Sequence, residues 1–350
     1  MNFSIIGIGT AVPPMYITQA ELLEHFRNNF ILKPEEEDLY RRLLTNGLIR
    51  GRHVGIGQRS ELVSTDPEEL IARFQKYGVS TAVEAARKAM ADAKVKPKDI
   101  KGLVVNTCTG YLCPGLSSYI SQELRLSRNI SIMDIMGMGC GSAIPNLECA
   151  CGMISRSGTG PVLSIAVEIC SATFFPSHEP ELIVSNCIFG DGAAAAVIDS
   201  TGKRNGYARI LDFASGNYPE YREELRYRNK KGLLRNYLSR RVPVIGAKTG
   251  SEVVSKLLAR NKISKNDIAW WAVHPGGSQV LAQIGKKMKL DRKDLAFSYD
   301  VFENFGNMSS PSVLFVLEKI LEDGRPESGQ KGILLSFGAG FTAFAALLEF

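Results

Sequence analysis

Residues 94–107, KVKPKDIKGLVVNT, recur without gaps as residues 262–275, KISKNDIAWWAVHP. Each stretch follows a run with apolar residues at helical spacing, VSTAVEAARKAMADA (79–93) in the first case and GSEVVSKLLAR (250–260) in the second. Both therefore read as helix, polar turn and buried strand. The matched Lys94 and Lys262, Asp99-Ile100 and Asp267-Ile268, and Val105 and Val273 exceed what turn chemistry requires. A further pair, FGDGAAAAV from Phe189 and FGAGFTAFA from Phe337, adds glycine turns leading into small-residue strands. The chain reads as an α/β protein of two related halves, residues 1–205 and 206–350.

The repeat also places chemistry. GMGCGSAIP (137–145) lines up with NFGNMSSPS (304–312), which sets Cys140 opposite Asn307, and His274 stands where the first repeat has Asn106. In a fold of two similar halves, the segments after corresponding strands meet near the pseudo-twofold axis. Cys140, His274 and Asn307 are thus expected to converge at strand carboxyl ends, where α/β folds build sites. The small residues around Cys140 leave room for another molecule to reach the sulfur. IPNLECACGMI after it reads as a helix, so the sequence predicts a thiol shifted toward thiolate by the helix N-terminus and His274, from a reference pKa of about 8.5.

Composition narrows the class. With 45% apolar residues in 350, the chain can bury a sizeable core. No apolar run reaches the roughly 18–20 residues that span a bilayer, and MNFSIIGIGTAVPP has no basic leader region, so the expectation is a cytoplasmic protein without a membrane span. Seven cysteines, an odd number with no CxxC pair, all lie between Cys108 and Cys187; reduced thiols and no metal site are expected. Basic residues crowd Arg222 to Arg241, interleaved with Tyr227 and Tyr237. No nucleic-acid module accompanies them, so this reads as a solvated basic face, with a phosphate-rich ligand or an acidic carrier protein as the intermediate reading.

Taken singly, Cys140 could be a core cysteine, His274 a strand-end histidine and Asn307 a turn residue. Their joint placement favours chemistry. Papain-like peptidases share the order Cys, His, Asn, but their nucleophile lies in C-G-S-C-[WY] near the mature N-terminus, whereas Cys140 follows most of an α/β half.

Cys140, His274 in VHPGG and Asn307 in FGNMSS, with FGDGAAA and FGAGFT, resemble the thiolase-fold condensing enzymes, most closely the type III polyketide synthases of the chalcone synthase-like kind. The resemblance covers nearly the whole chain. It implies a thiolase-like fold, a five-layered αβαβα sandwich, and a homodimer. It also implies acyl-CoA and malonyl-CoA as substrates with no further cofactor, iterative decarboxylative condensation, and cyclisation to an aromatic or pyrone product. It implies Cys140, His274 and Asn307 as catalytic residues. Phe189 matches a gatekeeper aromatic, though it also reads as ordinary core packing. Cys113 falls on a loop that crosses into the partner's cavity, and Arg42 where coenzyme A phosphates are met. Cys108, Thr173 and Ser309 are carried to the substrate cavity, and Gly338 and Gly340 to a turn forming an oxyanion hole. Departures from the family pattern include Gly141-Ser142-Ala143 after the nucleophile, Ala339 within the last glycine turn, Asn46 for a common lysine, and Asn236 near a second gatekeeper. A single-round 3-oxoacyl synthase or a simple acyltransferase, fed by coenzyme A or a carrier protein, is the alternative function.

Overall fold

The computed structural model describes residues 3–158, 160–174, 178–200 and 206–350. Its centre is a nine-stranded sheet in the order Ile268–Val273, Lys331–Gly338, Thr342–Glu349, Ala208–Asn217, Phe3–Ala11, Gly192–Ser200, Val162–Glu168, Gly102–Thr107, Ser131–Met136. The first four strands come from the second repeat and the last five from the first. In each half the strand at the end of the duplicated sequence, Gly102–Thr107 or Ile268–Val273, runs parallel to its inner neighbour, and the next pairings are antiparallel. The halves join where Phe3–Ile5 pairs with Ala208–Ile210. The boundary drawn after residue 205 adjoins residues 201–205, which lie outside the described residues.

Both faces of each half are covered, as the apolar runs in these strands require. Helices Ala143–Ser157 and Ser312–Lys319 form the middle layer, and each touches strands of both halves. Their Ile144, Leu147, Leu314 and Leu317 share one core with Val104, Ala196, Leu334 and Ala346. Helix Pro67–Asp92 covers the outer face of the first half, and helices Val242–Arg260 and Ser278–Met288 that of the second. This is the five-layered αβαβα sandwich of the thiolase fold. Gly9 shows how closely the layers approach: a Cβ there would lie 2.5 Å from the Ala89 backbone nitrogen.

The local signals read from the sequence have their expected forms. Thr18 caps helix Gln19–Asn29 in a capping box with Glu21, and Pro34 opens helix Pro34–Thr45. The repeat breaks in one place. The segment matching edge strand Ser131–Met136 lies in helix Ala296–Phe305, which buries Ser298, Val301 and Phe302. Ser298 Oγ accepts from the Val273 nitrogen at 3.2 Å, so the outer edge of the second half is occupied by a side chain. The first half instead leaves its edge strand open.

A cover of smaller elements lies over the carboxyl ends of the central strands. It comprises strands Met15–Thr18 and Gly51–Val54, the two helices between them, helix Pro180–Ile188 and the hairpin Leu225–Lys230 with Leu233–Leu238. Phe26, Tyr40, Phe174 and Ile183 form its own core. Each such buried side chain contributes roughly 1.5–3 kcal/mol.

Candidate active site

Cys140 lies in the turn Gly139–Gly141, immediately before helix Ala143–Ser157. Gly139 has φ +60°, and a Cβ there would meet the Ala339 nitrogen at 3.0 Å. The turn rests on the last glycine loop: a Cβ on Gly338 would lie 2.1 Å from the Met138 oxygen and 2.6 Å from the Gly141 nitrogen, so only glycine fits. Ser336 Oγ donates to the Gly141 oxygen at 3.0 Å and pins the same turn.

His274 follows strand Ile268–Val273 and is 1% exposed. Its backbone nitrogen continues the ladder to the Leu335 oxygen at 2.8 Å, its ring meets the Phe337 ring edge-on, and its Nδ1 is buried with no hydrogen-bond partner among the described residues. Asn307 Nδ2 donates to the Gly276 oxygen, two residues past His274, at 3.2 Å. Asn307 Oδ1 accepts from the Ser309 nitrogen at 2.8 Å, and Ser309 Oγ donates to Cys140 Sγ at 3.3 Å. A continuous line of contacts thus runs from the His274 turn through Asn307 and Ser309 to the sulfur. Ser309 holds φ +60°, a strained conformation for a residue with a side chain, and these bonds keep it there.

Cys140, Cys108, Phe189, Ser309 and Ala339 line a cavity of about 20 Å³ together with Leu225, Arg226, Tyr227 and Asn236 from the hairpin. That space is about what one water needs. Phe189 packs against Cys140 and Cys170. Thr173 is buried behind this wall, with Oγ1 on the Cys170 oxygen at 2.9 Å and 3.5 Å from the Tyr227 hydroxyl. Cys113 is exposed and Arg42 sits on the open face of its helix, paired with Asp38 at 3.1 Å; neither lines the cavity of this chain. Gly340 has φ +128° in the turn beside Ala339. His178 Nδ1 lies 2.8 Å from a Glu36 carboxylate oxygen. The basic stretch is partly committed: Arg226 pairs with Glu223, Arg235 with Glu179 and Arg241 with Glu224.

The electrostatics differ from the sequence expectation. Burial pushes the Cys140 thiol up to about 12, with the Ser309 hydrogen bond opposing. Burial alone holds His274 down at about 3. Lost hydration thus favours the neutral form of each, a thiol at Cys140 and an imidazole at His274. The sign of the pH effect follows. Between pH 6.5 and about 3, unfolded His274 binds a proton that folded His274 refuses, so its contribution to stability is complete above 6.5 and lost as pH falls. His274→Gln is expected to flatten that acid limb, measured as the urea midpoint against pH.

Glu168 was missed in the sequence. It ends strand Val162–Glu168, is fully buried, and accepts from the Cys108 nitrogen at 2.9 Å, Thr109 Oγ1 at 3.0 Å and Ser310 Oγ at 2.7 Å. Burial raises its pKa against those bonds. Its signal was a lone acid closing the apolar run VLSIAVE. Asn106, the counterpart of His274, donates to Ser142 Oγ and Ser310 Oγ, each at 2.8 Å. Among the described residues, no group of three or more His, Cys, Asp or Glu side chains is arranged to hold a metal.

This fold agrees with the similarity of the whole chain to known proteins. Residues 13–211 match the family model described as FAE1/Type III polyketide synthase-like protein, and residues 219–349 match that of the chalcone and stilbene synthases, C-terminal domain. The chain belongs to the type III polyketide synthase family. It is 30% identical to the 3,5-dihydroxyphenylacetyl-CoA synthase of Amycolatopsis balhimycina, covering 98% of this chain and 92% of that one. With the synthase of the same name from Streptomyces toyocaensis it shares 29% identity over 99% of this chain and 89% of that one. The fold superposes on 1,3,6,8-tetrahydroxynaphthalene synthase from Streptomyces coelicolor with a TM-score of 0.92, at 24% identity over 99% of both chains.

Proposed function

We propose that Cys140 carries the acyl group of an iterative, decarboxylative polyketide synthesis in which His274 and Asn307 act on malonyl-CoA. The observation that carries this reading is the contact line from the His274 turn through Asn307 and Ser309 to the Cys140 sulfur. In the first step the sulfur attacks the thioester carbonyl of an acyl-CoA. The carbon–sulfur bond to coenzyme A breaks, and the thiol proton passes by way of His274 to the departing coenzyme A. Malonyl-CoA then loses carbon dioxide, and the electron pair of the broken bond forms an enolate. That oxygen needs donors rather than a base. A neutral imidazole serves as one, and the Asn307 amide, whose Oδ1 is fixed by Ser309, presents a second N–H beyond the one held by Gly276. Attack of the enolate on the acyl-enzyme forms the new carbon–carbon bond and returns the sulfur. Decarboxylation itself supplies the nucleophile, so the reading calls on no cofactor beyond the two thioesters.

The small cavity bears on chain length. Tyr227 and Phe189 fill space that an acyl group must occupy, so loading requires the hairpin side chains to move aside. Tyr227→Gly is expected to shift the product mixture toward species at least one extension unit longer, read by mass of the released products.

Two further points belong to this reading. Edge strand Ser131–Met136 exposes Ile132, Met133 and Met136, and the nearby Tyr111 is 68% exposed; an open apolar edge of this kind favours pairing with a second copy as a homodimer. Coenzyme A is the favoured donor over a carrier protein because ion pairs within the chain occupy several basic residues of the 222–241 segment. No helix among the described residues is long and apolar enough to cross a membrane, and we place the reaction in the cytoplasm. The test is incubation with acyl-CoA starters and isotope-labelled malonyl-CoA. Aromatic or pyrone products carrying two or more labelled units support an iterative synthase, and a single unit or none moves the assignment to a one-round synthase or an acyltransferase.

A further inference from the structure

We infer that Arg52 is a positioning residue that holds the Phe189–Gly190 peptide, and through it Asn307, in place for the decarboxylation step. The inference rests on the role proposed above for Asn307.

Arg52 lies on strand Gly51–Val54 of the cover and is 1% exposed, the largest fully buried side chain among the described residues. Its hydrogen bonds go to neutral oxygens: Nη1 donates to the Phe189 carbonyl at 2.9 Å and Nη2 to Gln19 Oε1 at 2.7 Å. Gln19 in turn donates from Nε2 to the Cys187 oxygen at 3.1 Å. The buried Asp191 carboxylate acts on this guanidinium through space without a hydrogen bond to it. A guanidinium buried without a hydrogen-bonded carboxylate is costly, and a packing role alone would be met by an apolar chain of the same length. What distinguishes arginine is a planar fork that aims several donors at fixed angles.

The geometry of the neighbouring bridge shows what the fork holds. Phe189 and Asn307 form an isolated parallel bridge: the Asn307 nitrogen donates to the Ile188 oxygen at 2.8 Å, and the Gly190 nitrogen donates to the Asn307 oxygen at 3.0 Å. Both bonds leave the Phe189 carbonyl unused, and that carbonyl is the one Arg52 binds. Arg52 and Asn307 therefore grip the same Phe189–Gly190 peptide from its two sides, Arg52 at the carbonyl and Asn307 at the Gly190 nitrogen. The fit is tight, since a Cβ on Gly190 would lie 2.6 Å from the Phe305 oxygen and 3.2 Å from Arg52 Cβ. Freed from Arg52, the 189–190 peptide can rotate, and the bridge that sets the Asn307 backbone loosens with it. The amide that would meet the enolate then loses its register, while Cys140, pinned by Ser336 and the Gly338 turn, does not.

The test compares wild type, Arg52→Met and Arg52→Lys in two assays on the full-length protein. Loading is the rate of acyl-adduct formation on Cys140 from an acyl-CoA starter, and decarboxylation is the rate of carbon dioxide release from malonyl-CoA. For Arg52→Met we expect loading within twofold of wild type and decarboxylation at least tenfold lower, through kcat rather than KM. Arg52→Lys, with one donor restored, is expected to bring decarboxylation back to about threefold below wild type with loading unchanged. Equal losses in both assays, or none in either, overturn the inference, because a general loss of folded protein lowers both together. If Arg52→Met does not fold, Arg52→Lys decides alone: an unchanged ratio of decarboxylation to loading counts against it. A wild-type protein that neither loads nor decarboxylates overturns the functional reading instead.

Discussion

Cys140→Ala is expected to abolish the acyl-enzyme and all extended product while leaving malonyl-CoA decarboxylation measurable. In the proposed mechanism the Cys140 sulfur forms the covalent link, and removing a nucleophile of this kind costs about 10⁴-fold or more in turnover. The donors that would stabilise the enolate lie on other elements, His274 after strand Ile268–Val273 and Asn307 after helix Ala296–Phe305. Alanine is smaller than cysteine and leaves the turn's contacts with Ser336 and Gly338 intact. Product formation and carbon dioxide release, measured on the same preparation, should therefore part company. Their joint loss would mean that the turn, rather than the thiol, had been damaged.

The reverse pattern is expected at Asn307. Asn307→Ala removes one enolate donor and should lower decarboxylation about a hundred- to a thousandfold, the usual cost of one oxyanion-type donor. Loading of Cys140 should fall far less, since the attack of the thiol on the starter needs proton transfer by way of His274 and not the Asn307 amide. Asn307→Asp is a sharper probe. It keeps the shape and the acceptor for the Ser309 nitrogen but replaces the donor with a negative charge facing the enolate. It should be at least as inactive in decarboxylation as the alanine variant, and a more active aspartate variant would place the enolate elsewhere.

The sequence made the two halves visible because duplication preserves turn and strand chemistry at fixed separations, and symmetry then carried Cys140 to Asn307. That correspondence depended on backbone path, which short motifs such as VHPGG and FGNMSS encode locally. The repeat gave no warning that residues 296–305 would form a helix. Phe297, Val301, Phe302 and Phe305 follow helical spacing, and that local pattern overrides the strand found at the matching place in the first half. Glu168, Tyr227 and Arg52 were passed over for a different reason. Their importance comes from burial against partners distant in the chain, as in the 142 residues between Glu168 and Ser310. A tyrosine inside a basic stretch looks like surface until the hairpin folds it over the cavity. The protonation states have the same cause: helix polarity is visible in the sequence, but the burial that favours the neutral forms is not.

The neutral pair has a consequence for catalysis. With the Cys140 thiol held near 12 and the His274 imidazole near 3, neither group carries charge in the resting protein, and in the proposed mechanism charge separation would accompany the arrival of a thioester. His274 would then return to its neutral form before decarboxylation and could donate a hydrogen bond without giving up a proton. In the proposed mechanism one residue would thus serve two steps, with burial favouring its neutral form.

The most direct test of the central claim is mass spectrometry of the peptide containing Cys140 after brief incubation with an acyl-CoA starter, with and without malonyl-CoA. The account predicts a single acyl adduct on Cys140 that disappears as malonyl-CoA is consumed and longer products are released. An adduct on another cysteine, or extended products formed while Cys140 stays unmodified throughout, would contradict it.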